Sequence, residues 1–287
     1  MATTLTRTRA RFDQWSLLLL PGLLALTVTF FLPMLLIASN SLHPNLGLAA
    51  VGSSWTLENY AKFLTDPFYL EILVETLFLG AVVVTVCMFI GYPVAYVLVR
   101  SRYRWKSVLV FLVLSPLMIS AVIRNLGWIP VLGDHGVFNW VLLGLGLVRE
   151  PVQFMGNFLG VVIGLVHALL PFMVLSLMTV IQRIDPELEE ASISLGARPF
   201  ETFWRIVLPL SRPGLLSGYL LVLTIAISAF VTPGMLGGKR VLVMATFVEQ
   251  QIRTALNYPF AATAAVILMT VAGVLTVIAL RLPDTES

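Results

Sequence analysis

The residues best suited to chemistry form a polar segment between two apolar stretches. Two carboxylates, Glu189 and Glu190, are followed by mostly small side chains that extend to Ala197. Small side chains let another protein approach a helix closely, and carboxylates can pair with its cations. The segment therefore suggests protein docking, although the same residues would equally suit an ordinary solvated helical loop.

The rest of the sequence offers little for catalysis. It shows no Ser-His-Asp set, metal-ligand cluster or paired carboxylates of the kind that a reaction would need. It also has no G-x-x-x-x-G-K-[ST] phosphate loop, because Pro233 precedes the only Gly-Lys pair where the first glycine is required. Cys87 lies in an apolar run and is predicted to be a small packing residue. We expect a chain that is not an enzyme and binds no cofactor or metal.

Composition places the chain in a membrane. Of 287 residues, 58% are hydrophobic and 11% charged, and the mean hydropathy is +0.94. These values are typical of a polytopic membrane protein. The net charge of +3 comes from basic clusters beside apolar runs, which fits topology and a lipid bilayer better than nucleic acid.

Six apolar runs are long enough to be transmembrane helices, so we predict an all-α polytopic membrane protein. The runs cover residues 17–38, 77–99, 107–123, 156–181, 215–231 and 260–280. Twelve of the 18 Lys and Arg residues fall on the side that holds both termini, which predicts that this side is cytoplasmic. The predicted organisation is a cytoplasmic tail (1–16), a membrane domain (17–281) with a cytoplasmic loop (182–214), and a second tail (282–287).

The loop is predicted to hold two short helices. Asp185 can cap a helix that starts at Pro186 and runs to about Leu195, and Gly196 ends it in the left-handed conformation. A second helix is predicted to have one apolar face, made of Phe200, Phe203, Trp204 and Val207. It is opened by Pro199 and ended by Pro209 and Pro213.

The loop resembles the EAA loop of binding-protein-dependent ABC importer permeases. The resemblance is carried by Glu190-Ala191-Ser192-x-x-Leu195-Gly196-Ala197, Phe203, Ile206, Leu208-Pro209 and Pro213-Gly214. Ser192 departs from it, where the family usually has a second alanine.

The resemblance implies a coupling helix between the fourth and fifth spans that docks on a cytoplasmic ATPase dimer, where ATP and Mg would bind. It implies contact and turn roles for Glu190, Ala191 and Gly196, with Phe200, Phe203 and Leu208 fastening the loop to the membrane domain. The implied coupling residues are Glu189, Glu190, Ala191, Ser192, Leu195, Gly196, Ala197, Phe200, Phe203, Leu208 and Pro209.

The outer connections resemble the spermidine/putrescine permease branch of that family. The similar segments are Ile123-Arg124-Asn125-Leu126-Gly127-Trp128, Phe230-Val231-Thr232-Pro233-Gly234, and Tyr258-Pro259-Phe260. The resemblance implies half of a translocation pathway in a bacterial inner membrane, with a second permease subunit in a heterodimer. It also implies a periplasmic binding protein that delivers a polyamine or related small cation.

A cationic solute would favour carboxylates and aromatic faces along its path. The candidates are Glu75, Trp128, Asp134, Phe230, Glu249 and Tyr258. Each could instead be a solvated acid or an aromatic anchor at the headgroups. Arg124 and the Lys239-Arg240 pair would equally suit an anion.

Other interpretations stay open. The importer could carry another solute, such as an amino-acid derivative, an opine, a phosphonate or iron. An ion-driven secondary transporter would need a relay of buried acids, and a membrane-embedded enzyme would need a catalytic set. His167 could be functional, as ionisable groups inside membranes often are, but it is predicted instead to hydrogen-bond a neighbouring helix or the carbonyl freed by Pro171. Pro116 and Pro171 are predicted to kink their helices, either as hinges or as fixed bends.

Overall fold

The computed structural model describes residues 14–47, 50–101, 104–238 and 240–281, which are almost entirely helical. A small hairpin of β1 (Asn45–Gly47) and β2 (Ala50–Val51) follows the first helix. The helices are α1 (Gln14–Ser41), α2 (Glu58–Thr65), α3 (Pro67–Arg100), α4 (Lys106–Leu114), α5 (Ala121–Leu132), α6 (Val137–Gly144), α7 (Phe158–Ile181), α8 (Pro186–Ser194), α9 (Pro199–Thr202), α10 (Leu208–Leu210), α11 (Arg212–Ser228), α12 (Val231–Leu236), α13 (Met244–Arg253) and α14 (Tyr258–Arg281).

Four helices of the described chain are long and apolar enough to cross a membrane. They cover Leu19–Ser41, Pro67–Arg100, Phe158–Ile181 and Tyr258–Ala279. Two further helix pairs meet the same test only together, and each is sharply bent. The chain is therefore a multi-pass membrane protein with at least four spanning helices.

The core is formed where α3, α7 and α11 pack together. Glycines bring the helices close, as at Gly80, where an added Cβ would lie 2.6 Å from Ile227 Cγ2. Cys87 is fully buried in this core, which confirms its predicted packing role. A smaller cluster around Phe63 and Phe260 joins α2, α3, α13 and α14.

The third predicted span is wrong as a single helix. α4 passes into a 3₁₀ turn (Ser115–Met118), and the pair Lys106–Met118 and Ala121–Gly144 bends by 106°. Pro116 has no N–H to donate to the Leu112 carbonyl, and the Ser115 hydroxyl donates to that carbonyl instead (2.9 Å). By contrast, α7 continues through Pro171 as one helix.

The predicted helix end at Pro209 and Pro213 is confirmed, since the helical run from Pro199 stops at Leu210, between the two prolines. A π turn (Phe203–Val207) leads into α10, which contains Pro209, and α11 begins at Arg212 with Pro213 in its first turn. Because Pro209 cannot donate to the preceding turn, the Leu208 N–H reaches back five residues to the Phe203 carbonyl. The helices on either side of Ser211 bend by 66°.

Different elements lie at the two ends of the bundle. The end that we call the loop end holds the C-termini of α3 and α7, all of α8 to α10, and the start of α11. The opposite end, which we call the cavity end, holds α2, α12, α13 and the break between α11 and α12 at Ala229 and Phe230. α3 runs the whole distance between them, about 50 Å for a helix of this length.

Candidate functional site

Local sequence explains the shape of the loop-end projection. Pro186 occupies the first turn of α8, and Asp185 Oδ1 accepts a hydrogen bond from the Glu187 N–H (3.0 Å). α8 ends at Ser194, and Gly196 follows with φ +92°, a conformation that only glycine adopts readily. The predicted cap, first helix and glycine stop are therefore confirmed.

The far side of this projection is exposed and partly apolar. Glu190, Ala191 and Gly196 are exposed, as expected of contact residues. Leu195 is 90% exposed and Ile193 51% exposed. Exposed apolar side chains of this size, gathered at one tip and surrounded by polar residues, are typical of a docking surface.

Three of the predicted coupling residues lie partly inside the loop. The Ser192 hydroxyl lies 3.0 Å from the Thr202 hydroxyl, which ties α8 to α9. Ala197 is half-buried in the connection between the two helices, and Pro209 is half-buried in α10. These positions indicate that Ser192, Ala197 and Pro209 shape the projection from within.

Glu189 points away from the exposed tip and toward α3. Its Oε1 accepts from Arg100 Nε (2.8 Å), and Arg100 Nη2 lies 2.6 Å from the same oxygen. The Tyr96 hydroxyl donates to the other carboxylate oxygen, Oε2 (2.6 Å). Sequence reasoning missed this cluster because Arg100 belongs to a basic group whose position topology alone explains.

The second arm of the loop corrects one predicted role. Phe203 packs against Tyr92 with ring centroids 5.1 Å apart, and Leu208 packs against the core, as predicted for fastening residues. Phe200, however, is 71% exposed, and its ring contacts Trp204, which is itself 53% exposed. The π turn adds a residue to the helical repeat, so Phe200 and Trp204 do not share the buried face of Phe203 and Val207.

At the cavity end, the structure brings two of the predicted pathway residues together. Phe230 and Glu249 both line a cavity of about 550 Å³ between α11, α13 and α14, and both line a neighbouring cavity of about 470 Å³ beside α12. Glu249 Oε1 lies 3.0 Å from Arg253 Nε, one turn along α13. α11 ends at Ser228, so the negative end of its dipole lies beside Phe230.

The other four predicted pathway residues do not join this site. Trp128 lines a third cavity of about 410 Å³, together with Arg124 and His167. Glu75, Asp134 and Tyr258 are exposed at separate positions on α3, the turn after α5 and the start of α14. The sequence shows the residue types of the candidates, but it does not show that Glu249 alone of the predicted acids lies beside Phe230 in the described structure.

Two basic residues, His167 and Arg124, lie beside Trp128 and make defined contacts there. Trp128 Nε1 donates to His167 Nδ1 (3.3 Å), which confirms that His167 bonds a neighbouring helix. Arg124 Nη1 donates to the Pro116 carbonyl (2.9 Å). Arg124 Nε is buried and has no hydrogen-bond acceptor in the described part of the chain.

Known proteins resemble this chain along most of its length. It is 34% identical to the spermidine/putrescine transport system permease protein PotB of Escherichia coli (strain K12), over 88% of this chain and 92% of that protein. It is 35% identical to the PotB protein of Haemophilus influenzae, over 71% of each chain.

Solved structures agree on the fold. A bacterial ABC transporter involved in the import of the acidic polysaccharide alginate superposes with a TM-score of 0.78 at 18% identity, covering 95% of this chain and 96% of that one. The MetNI methionine ABC transporter in an inward-facing conformation gives 0.58 at 22% identity, covering 76% and 96%. Residues 9–284 match the family model described as binding-protein-dependent transport system inner membrane component. The chain therefore belongs to the family of inner membrane components of binding-protein-dependent transport systems, and it is a permease subunit of an ABC importer.

Proposed function

We propose that this permease imports a small organic cation of the polyamine class. The observation that carries the proposal is the cavity site at the break between α11 and α12, where the Glu249 carboxylate and the Phe230 ring line the same two cavities. A carboxylate attracts an ammonium group, and an aromatic face attracts it further. The relatives named for spermidine and putrescine transport support the same solute class.

The broken helix adds to this cation preference. The helical hydrogen-bond pattern stops at the end of α11. There the Ala226 carbonyl accepts the Ala229 N–H at 3.3 Å, and the Ser228 hydroxyl donates to the Thr224 and Ile225 carbonyls at 2.9 and 3.1 Å. Helix C-termini carry partial negative charge, and interrupted membrane helices commonly use such ends to hold cations. We propose that an ammonium group displaces Arg253 from Glu249 and is held there between the carboxylate, the Phe230 ring and the end of α11.

The proposed topology has six spans and cytoplasmic termini. Each bent pair counts as one span, which adds two to the four continuous helices. The loop end carries Arg100, Arg104, Lys106, Arg183, Arg198, Arg205, Arg212 and Arg281. This basic excess supports a cytoplasmic loop end and hence a periplasmic cavity end.

We propose that the exposed tip of α8 is the coupling helix. Its apolar side chains, Ile193 and Leu195, would bury against a cytoplasmic ATPase dimer, with Glu190, Ala191 and Gly196 at the contact. ATP and Mg would bind to that partner, which would hydrolyse the ATP. A second, non-identical permease would complete the pathway, and a periplasmic binding protein would deliver the solute at the cavity end.

The docking proposal is tested by replacing Leu195 with Asp in the co-expressed importer. Burying a leucine side chain contributes about 1.5–3 kcal/mol, so we expect the ATPase to bind roughly 10- to 100-fold more weakly. Arg183→Gln changes an exposed residue before α8 and serves as the matched control. Unchanged recovery of the ATPase with Leu195→Asp would exclude this tip as the docking surface.

The solute proposal is tested by transport in liposomes that contain the complete importer. We expect labelled spermidine or putrescine to accumulate with ATP, and Glu249→Gln to lower that uptake at least about tenfold because the ammonium loses its counter-charge. Glu58→Gln, an exposed acid on α2, is the control. ATP-driven uptake of an anion with no polyamine uptake would contradict the proposal.

Arg124 supports a second candidate, an anionic solute. Its guanidinium lines the Trp128 cavity and another of about 270 Å³ next to Phe230, and its buried Nε lacks an acceptor among the described residues. An anion could supply that acceptor. The same uptake assay separates the candidates, because Arg124→Gln would then abolish transport while Glu249→Gln would not.

A further inference from the structure

The contact between α3 and α8 is built from charged groups that are mostly removed from solvent. The side chains of Arg100 and Glu189 are only 19% and 13% exposed. Arg100 Nη2 also donates to the Ile184 carbonyl (2.9 Å), just before α8 begins. Charge-assisted hydrogen bonds of this length fix geometry tightly, and a shielded pair that loses one partner is strongly destabilised.

The residues of α3 that hold the loop recur every four positions. Tyr92, Tyr96 and Arg100 therefore form one stripe along its last two turns. The rings of Tyr92 and Tyr96 both contact the ring of Phe203 edge-on, at centroid distances of 5.1 and 5.9 Å. The Tyr92 hydroxyl lies 2.5 Å from that of Ser211, at the bend before α11. The stripe therefore contacts both halves of the loop: α8 through Glu189, and the following helical segment through Phe203 and Ser211.

The opposite end of α3 is attached to the helix that carries Glu249. Thr76 Oγ1 accepts a hydrogen bond from the N–H of Met244, the first residue of α13 (2.8 Å), and donates to the Ile72 carbonyl (2.7 Å). Thr76 is 1% exposed and Met244 fully buried. One continuous helix therefore contacts the coupling loop at one end and, at the other, the start of α13, the helix that carries Glu249.

We propose that α3 is the strut that transmits movement between these sites, with Glu189 as the positioning residue that fastens α8 to it. Chain connectivity alone would transmit movement through α7 and α11, which flank the loop in sequence. The Arg100–Glu189–Tyr96 cluster provides a separate route, because it attaches α8 directly to α3. The attachment lies away from the exposed tip of α8 that would contact the ATPase. The inference rests on the proposed docking of α8 on an ATPase.

The test measures coupling in the complete importer, reconstituted in liposomes and supplied with solute-loaded binding protein. Glu189→Gln removes the charge and keeps the size, while Glu187→Gln alters an exposed carboxylate on the same helix as the matched control. The quantity compared is solute transported per ATP hydrolysed. Coupling between sites usually changes an equilibrium about 5- to 150-fold, so we expect a fall of at least about fivefold for Glu189→Gln and no change for Glu187→Gln.

A double-mutant cycle tests whether the pair acts as a unit. Arg100→Gln combined with Glu189→Gln should lower the ratio no further than either single change, because each already removes the same interaction. If the Glu189→Gln permease itself is not recovered from the membrane, Tyr96→Phe removes only one hydrogen bond and should lower the ratio about twofold or more.

Two results would overturn the strut. One is an assembled Glu189→Gln complex, or Tyr96→Phe complex, that couples as well as the Glu187→Gln control. The other is loss of the ATPase from the Glu189→Gln complex, which would place Glu189 in the docking contact itself. Failure of the docking proposal gives a different result, since the Leu195→Asp importer would then retain its ATPase.

Discussion

Replacing Gly214 by alanine should force α11 away from α7 at the loop end. A Cβ at Gly214 would lie 2.8 Å from Val180 Cγ2, 2.9 Å from Val180 Cβ and 3.1 Å from the Ser176 carbonyl oxygen. Two of these atoms are fixed to or part of the α7 backbone, so no side-chain rotation relieves the clash. Gly218, four residues later, also lies close to α7, since a Cβ built there would be 2.8 Å from Met173 Sδ and 3.2 Å from Ser176 Cβ. Small residues commonly allow such close approach between membrane helices.

The geometry sets the size of the effect. Carbon atoms in favourable contact are about 3.5–4.0 Å apart, so the helices must separate by roughly 0.7–1 Å at this point. Overpacking of a close-packed interior costs about 1–3 kcal/mol. For a chain of this size we expect the unfolding midpoint to fall by roughly 2–10 °C.

Gly273→Ala is the matched control, because nothing lies within 4 Å of a Cβ built there in α14. Alanine in that helix should leave the midpoint unchanged or raise it slightly, since alanine is the better helix former. Thermal unfolding of the two variants is compared by tryptophan fluorescence in the same detergent at one heating rate. If Gly214→Ala unfolds at or above the midpoint of Gly273→Ala, the argument that α7 and α11 are held at glycine distance is refuted.

Three further changes test other contacts by the same unfolding measurement. Thr76→Val should lower the free energy of unfolding by about 1–3 kcal/mol because it leaves the buried Met244 N–H without an acceptor, and Thr76→Ser should restore most of that loss. Equal unfolding midpoints for the two variants would contradict the hydrogen bond. Phe63→Ala should lower the free energy of unfolding by about 3–5 kcal/mol, since this fully buried ring stacks on Tyr69 with centroids 5.6 Å apart. Phe68 is half exposed on the next helix, so Phe68→Ala should have a much smaller effect. Asn125→Leu should cost about 1–3 kcal/mol because Thr232, 3.1 Å away, loses its buried partner, and Thr232→Val on top of it should then add little.

Sequence reasoning predicted the parts of this molecule that local rules determine. Apolar length placed the four long spans, and the Asp185-Pro186 start and the Gly196 stop defined α8. Residue spacing could not reveal the contact of Glu189 with Arg100, because those residues lie 89 positions apart and only the packing of α3 brings them together.

The effect of each proline depends on its surroundings. Pro116 and Pro171 were both expected to kink their helices; Pro116 is followed by a break, whereas α7 continues through Pro171 as one helix. Pro171 is buried within the α7 core, where neighbouring helices support the backbone. Pro209 lies in the last turn of the helix that it was expected to end, and a π turn before it accommodates its missing donor. Whether proline ends a helix depends on tertiary packing that sequence does not display.

The positions of the broken and continuous helices suggest which parts of this permease contact solute and which transmit movement. The breaks after α4 and α11 both lie beside cavities, where irregular backbone can be tolerated inside a membrane and can present carbonyls to a solute. α3 and α7 are continuous and form the core between the two ends. A rigid element transmits displacement better than a hinged one, and α3 alone among these helices contacts both Glu189 at one end and α13 at the other. If force enters at α8, α3 is therefore the element best placed to move Glu249 relative to Phe230, at the end of α11.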